Sequence, residues 1–419
     1  MVSMKVIFYC AYYEPEIAAG IGLSKDLIIG LAEAGIAVDV FTPTPTRGVS
    51  SETIKRYKKK SKEYLYNGMI CIHRISMIQE KKNPLLRAVR YFMLNVVFLW
   101  KGIVSNADVI FVDSTPPTQG LMASMLKKIK KMPIVYNLQD VFPDSMVTAG
   151  FTKENSIIWK IGRMIENITY KNADHIITIS DSMRKNILKK GVKEEKVSTI
   201  CNWIDIDKVF PIDKDKNKIY EEFAIPRNKF VVLYAGNFGA AQGADIILKV
   251  AQNVQGYKEI CFVVFGGGSE FYDFKIKSST CENIIANKLL PIERVSEVYS
   301  VGDIALITCK KGVGKAGMPS KTWSIMACNT PIVASFDVES DLARVIKKAN
   351  AGIIIEPENV NELTQAILKE YVDWKNGDKS QMQYREYVEQ HASKRRCVSA
   401  YIKIIKAMAT KDENVEKIN

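Results

Sequence analysis

Residues 310–335 read KKGVGKAGMPSKTWSIMACNTPIVAS, and three kinds of local structure follow one another within them. A loop rich in glycine and lysine (Gly312, Gly314, Lys315, Gly317) leads into Pro319-Ser320-Lys321. Trp323, Ile325, Met326 and Ala327 then suit a helix, and Pro331-Ile332-Val333 opens an apolar run that reads as a strand. Loop, helix and strand in this order are the repeating unit of a parallel sheet. Backbone N–H groups at a helix start, with lysines around them, suit a multiply charged anion such as a nucleotide diphosphate. A solvated basic loop has the same composition, so the rest of the chain decides between the two.

The alternation continues in both directions. Upstream, 230–234 reads as a strand, 235–243 (AGNFGAAQG) as a glycine-rich loop, and Ile246, Ile247, Val250 and Ala251 as a helix. A second strand, 262–265, ends at Gly266-Gly267-Gly268; a short strand at 284–285, a helix at 295–301 and a strand at 303–308 follow. Downstream come a strand at 353–355 and helices at 360–373, 380–391 and 394–409. The first half has the same grammar. Residues 5–10 form a strand, Leu23, Leu27, Ile28 and Leu31 a helix closed by Gly35, and 38–41 a second strand, with Gly20-Ile21-Gly22 at the helix start. Further strands read at 109–112, 133–137, 175–180 and 197–200, with helices up to Lys131, at 154–172 and from Ser180-Asp181-Ser182. Two successive βα halves with glycines at strand ends predict an α/β chain of two doubly wound, Rossmann-like domains facing a cleft.

At 419 residues the chain exceeds one ordinary core. The expected division is an N-terminal domain over 1–205, a C-terminal domain over 206–393, and a helix at 394–412 packing back on the first. The polar, lysine-rich stretch 213–218 is expected to link the domains, and the charged tail 411–419 to be disordered. The formal charge is +13, and residues 1–210 hold 30 Lys/Arg against 20 Asp/Glu. A basic half calls for an anionic partner: nucleic acid or an anionic membrane surface. Nucleic acid is set aside because no basic-aromatic recognition module is present. Two stretches suit lipid. Lys55, Arg56, Lys58, Lys59, Lys60 and Lys62 crowd 52–65, also readable as a solvated face or a mobile loop. Residues 84–104 (PLLRAVRYFMLNVVFLWKGIV) flank an apolar centre with Arg87, Arg90 and Lys101 and read as a buried or an interfacial helix.

Eight cysteines lack CxxC spacing, and the three histidines (His73, His175, His391) are scattered, which argues against zinc or a disulfide framework. A reducing cytoplasm is expected, and the N-terminus reads as a strand rather than a signal peptide. Among carboxylates, Asp140 stands just past a strand end, where open α/β sheets bind ligands; an Asp capping a turn ahead of Pro143 is the alternative.

Taken together, 136–145 (YNLQDVFPDS), 235–243, Gly317-Met318-Pro319-Ser320-Lys321, Asp113-Ser114-Thr115-Pro116-Pro117 and Asn202-Trp203 resemble the family 4 retaining glycosyltransferases of the GT-B fold. The likeness is to the subgroup that builds bacterial O-antigen and capsule units, including transferases of N-acetyl-L-fucosamine and related amino sugars. It implies a UDP-linked nucleotide sugar in the C-terminal domain and a polyprenyl-diphosphate-linked saccharide acceptor in the N-terminal one. It also implies a cytoplasmic enzyme associated peripherally with the inner membrane face. No cofactor or metal is implied beyond the nucleotide-sugar co-substrate.

The chain departs from the family at three places. The cations of the usual Gly-Arg and Lys-Gly pair fall on Asn237 and Gln242, the paired glutamates on Ala316 and Ser324, and the histidine of the His-Asp pair on Gln139. The resulting expectation gives catalytic roles to Asp140 and Lys321. Donor contacts are expected from Gly20, Ile21, Gly22, Asn237, Gly239, Gln242, Gly266, Gly267, Gly268, Lys315, Pro319, Ser320 and Ser324. The rival readings are a UDP-sugar epimerase or hydrolase of the same fold, and a non-catalytic nucleotide-sugar-binding subunit.

Overall fold

The computed structural model describes residues 4–17, 20–78, 84–148, 150–377 and 383–410. The 411–419 tail expectation lies outside them. The chain divides into two compact units. One is formed by the residues up to Cys201 together with those from Cys397 on, and the other by Asn202–Arg396.

In the first unit the strands are β1 (Lys5–Tyr9), β2 (Ala37–Pro43), β3 (Lys62–Leu65), β4 (Ile70–Ile75), β5 (Val109–Asp113), β6 (Ile134–Leu138), β7 (His175–Thr178) and β8 (Val197–Thr199), ordered β3-β4-β2-β1-β5-β6-β7-β8. Every pairing is parallel except β3 with β4, which the turn at Asn67-Gly68 folds antiparallel. The central strands are continuous apolar runs, as burial on both faces of a parallel sheet requires; in β5, Val109, Ile110, Phe111 and Val112 are fully buried. The helix Lys394–Thr410 belongs to this unit from Cys397 on. Its Val398 presses on Gly30 of the helix Ile21–Glu33, and its Tyr401 ring lies 6.1 Å from that of Phe111.

The second unit holds β9 (Phe230–Asn237), β10 (Ile260–Gly267), β11 (Ile284–Lys288), β12 (Ile304–Thr308), β13 (Ile332–Ser335) and β14 (Gly352–Ile355), in the order β11-β10-β9-β12-β13-β14 and parallel throughout. In each sheet the order reverses once, between β1 and β5 in the first and between β9 and β12 in the second. Both sheets are therefore doubly wound, with a switch point at the carboxyl edge.

Several local readings change. The 52–65 stretch is not a loop: Ser50 accepts the Thr53 amide at 3.2 Å and caps a helix, Ser51–Lys59, whose last turn carries Arg56, Lys58 and Lys59 against the negative helix end. Nor do residues 213–218 form a free linker. Asn217 is fully buried and donates to Glu297 O at 2.7 Å, and the Ile212 amide donates to Ser300 Oγ at 2.9 Å, so this stretch is packed into the second unit. Helices Phe271–Ser278 and Asp341–Lys348 add to those expected, and the helix expected from 154 starts at Ile157, capped by Ser156.

Gly352 tests the β13–β14 register. Its φ is +137°, and a Cβ there would stand 1.9 Å from Ile332 O of the paired strand. Gly352→Ala should cost about 2–4 kcal/mol, read as an earlier urea transition; an unchanged transition would contradict this pairing.

Candidate functional site

The switch point of the second unit gathers three loops. After β9, Tyr234 Oη donates to Asn237 O at 2.9 Å, and Asn237 Nδ2 donates to Gln242 Oε1 at 3.1 Å across Gly239. After β10, the Phe238 amide donates to Gly267 O at 2.5 Å and the Glu270 amide to Phe238 O at 3.0 Å. Gly268 has φ +103°, and a Cβ on it would lie 2.2 Å from Asn237 Oδ1. Only glycine allows this close approach of the two loops. After β12, the Lys310 amide donates to Ala241 O at 3.0 Å, joining the third loop to the first.

The lysine-rich loop is shaped from beneath by Asp337, which sequence reasoning missed. This carboxylate, only 4% exposed, accepts the Gly312 amide at 2.9 Å and the Gly314 amide at 2.7 Å. The consequence is that Lys315 projects outward and is exposed, as is Ser320, while Pro319 is half-buried. Lys321 opens the helix Lys321–Ala327 and turns inward. Its Nζ donates to Ala235 O at 3.3 Å and sits 4.2 Å from the centre of the Tyr234 ring. Burial pushes the Lys321 ammonium down to about 8. Ser324, one turn on, is buried.

The structure thus brings Asn237, Gly239, Gln242, Gly266, Gly267, Gly268 and Lys321 to one carboxyl edge. Chemically, this is a neutral amide pair and a cation at the reversal of a parallel sheet, an arrangement suited to phosphate oxygens.

Gly20, Ile21, Gly22 and Asp140 belong to the first unit. Gly20 and Gly22 face open space at the start of the helix Ile21–Glu33, and Ile21 is buried. Asp140 is exposed, with Oδ2 accepting Ser145 Oγ at 2.9 Å, the local turn contact weighed as its alternative. Asp113, which follows four apolar residues at the end of β5, is more sheltered than Asp140. Among the described residues one trio could offer metal ligands, Asp39, Cys71 and His73. The Lys5 ammonium already stands 2.6 Å from Asp39 Oδ2, and His73 Nε2 lies 3.3 Å from Oδ1. Burial would raise the Asp39 carboxyl, but the hydrogen bonds of His73 and Lys5 hold it below its ordinary value.

Comparison with known proteins meets this geometry at both units. Residues 24–208 match the model of Glycosyltransferase Family 4, and residues 229–373 that of Glycosyl transferases group 1. The chain is a glycosyltransferase, with a family 4 domain followed by a group 1 domain. It is 24% identical over 422 residues to a protein of Escherichia coli named for colanic acid biosynthesis, the glycosyl transferase WcaI, covering 96% of this chain and 100% of that one. Sucrose-phosphate synthase from Thermosynechococcus elongatus superposes with a TM-score of 0.73 at 14% identity, over 98% of this chain and 100% of its own. Anabaena HepE, solved in complex with UDP, gives 0.70 at 14% identity, over 96% and 100%. The glycosyltransferase therefore has the GT-B fold.

Lys321→Ala should lower transfer at least about a hundredfold, the scale of losing a preorganised donor to developing charge; a near wild-type rate with radiolabelled donor would remove the role. Because the free ammonium loses its proton near pH 8, UDP affinity should fall as pH rises through about 8. A flat titration there would contradict the assignment.

Proposed function

We propose that this glycosyltransferase is a retaining enzyme of bacterial surface polysaccharide assembly. It moves an N-acetylated amino sugar from a UDP-linked donor to a saccharide carried on polyprenyl diphosphate. The observation that carries the reading is Lys321, a half-buried cation held at the β9–β12 reversal beside Asn237 and Gln242. The UDP bound in HepE and the colanic acid name of WcaI support the donor and pathway classes.

In the reaction, an acceptor hydroxyl oxygen bonds to the anomeric carbon on the face from which UDP departs. The bond from that carbon to the diphosphate oxygen breaks, and the hydroxyl proton passes to the departing diphosphate. The chain's part is to hold the leaving group in fixed donors: the Lys321 ammonium and the Asn237 and Gln242 amides. The lysine takes over from cations that the family usually places at 237 and 242.

The acceptor's lipid accounts for an exposed apolar face on the first unit. Helices Pro84–Val104, Thr118–Lys130 and Ile157–Asn172 pack side by side. They expose Phe92 and Trp100, Ile129, and Ile157 and Ile161, with Lys101, Lys128 and Lys160 also exposed. Apolar side chains among lysines match an anionic bilayer surface. No helix among the described residues is long and apolar enough to cross a membrane; the reading is docking at the cytoplasmic face, where the family resemblance places the acceptor lipid.

A thermal-shift screen over UDP-, GDP- and dTDP-sugars tests the donor. UDP-sugars should stabilise the protein in a concentration-dependent way, and stabilisation by GDP- or dTDP-sugars alone would replace UDP. For the membrane, Phe92→Glu combined with Trp100→Glu should abolish flotation with phosphatidylglycerol vesicles while leaving UDP binding intact; undiminished flotation would remove this face.

A further inference from the structure

The first unit also has a switch point, between β1 and β5, and a carboxyl group stands there. Asp113 ends β5 and is half-buried. Its Oδ1 accepts Asn137 Nδ2 from β6 at 2.6 Å. Asn137 is itself held: its Oδ1 accepts the Tyr401 hydroxyl at 2.9 Å and Gln139 Nε2 at 3.2 Å. With two donors on Oδ1, the Asn137 amide can present only its N–H to Asp113. Two strands and the returning helix thus orient one carboxyl.

Among the described residues Asp113 has no cation partner. Three other sheltered carboxylates of this unit have one: Asp39 pairs with Lys5, Asp144 with Arg163 and Lys190, and Asp174 with Lys127. Asp113 has a neutral amide alone among the described residues. An unpaired, sheltered carboxylate is a stability cost that a purely structural position would avoid by pairing or by an apolar residue. Its place is also where open α/β sheets bind ligands.

We propose that Asp113 is the residue of the first unit that accepts a hydrogen bond from the attacking acceptor hydroxyl, with Asn137 and Tyr401 as its positioning residues. This rests on the transfer reaction proposed above. Asp113 orients the acceptor hydroxyl; the proton still leaves on the diphosphate, so no further reactant is needed.

The role requires the carboxylate form, and burial pushes the Asp113 carboxyl up to about 6, against the opposing Asn137 hydrogen bond. The titratable groups that feel it are Cys10 after β1, Tyr136 of β6 and Tyr401 of the helix Lys394–Thr410; burial raises all three well above their ordinary values, so they stay neutral near pH 6. Arg74 acts on Cys10, and Glu166 and Asp140 on Tyr136. Acceptor kcat/KM should therefore fall as pH drops through about 6.

The test is steady-state transfer by the full chain, with radiolabelled UDP-sugar and a lipid-linked saccharide, from about pH 5 to 9. Asp113→Asn should lower acceptor kcat/KM roughly a hundredfold, erase the acid limb, and leave thermal stabilisation by the UDP-sugar unchanged. Tyr401→Phe should move the acid limb to higher pH, because the amide that favours the carboxylate loses its anchor. A merely structural role predicts a lower melting temperature with the limb in place. Wild-type acceptor kinetics in Asp113→Asn, or an unmoved limb in Tyr401→Phe, would overturn the assignment alone. Absence of transfer by the wild type would overturn the transferase reading and this role with it.

Discussion

Parallel strands cannot be joined by a tight turn; each needs a crossover, and every loop that follows a strand emerges at the same edge of the sheet. In both units the crossovers change direction once, so two neighbouring strands send their loops to opposite faces and leave a gap between them. The proposed chemistry of this chain depends on those two gaps. At the β9–β12 gap the loops are tied to one another by main-chain bonds, Phe238 to Gly267 and Lys310 to Ala241, before any ligand arrives. A site built this way is preorganised: its donors are set by the sheet rather than recruited by the substrate.

In the proposed function Lys321 compensates for a changed motif. With Asn237 and Gln242 neutral, the charge at the gap comes from the start of the next helix, over the Tyr234 ring and against Ala235 O. Desolvation makes that ammonium costly when no anion is present and favours binding of one that restores the charge. Asp337 has the complementary task. It is buried so that two glycine amides can be fixed, which holds the loop carrying Lys315 in one shape.

Much of the fold was legible because strands buried on both faces must be continuously apolar; β10 (ICFVVFGG) could be little else. The helix Phe271–Ser278 was not, because Tyr272 and Ile276 are exposed beside buried Phe271 and Phe274 and blur the period. Residues 213–218 misled by composition: the bond that buries Asn217 runs to Glu297, far along the chain. The site divided along the same line. Lys321 could be found because it stands at a loop–helix boundary. Asp113 and Asp140 both follow strands, and only three-dimensional neighbours separate them. One is held by Asn137 under Tyr401, and the other is exposed on Ser145.

The central claim is that the nucleotide sugar is held at the β9–β12 reversal. Hydrogen exchange of the full chain with and without UDP tests it most directly. The account predicts slowed exchange concentrated in 236–243, 266–270 and 310–324. Unchanged exchange in those loops, or protection confined to the first unit, would contradict it.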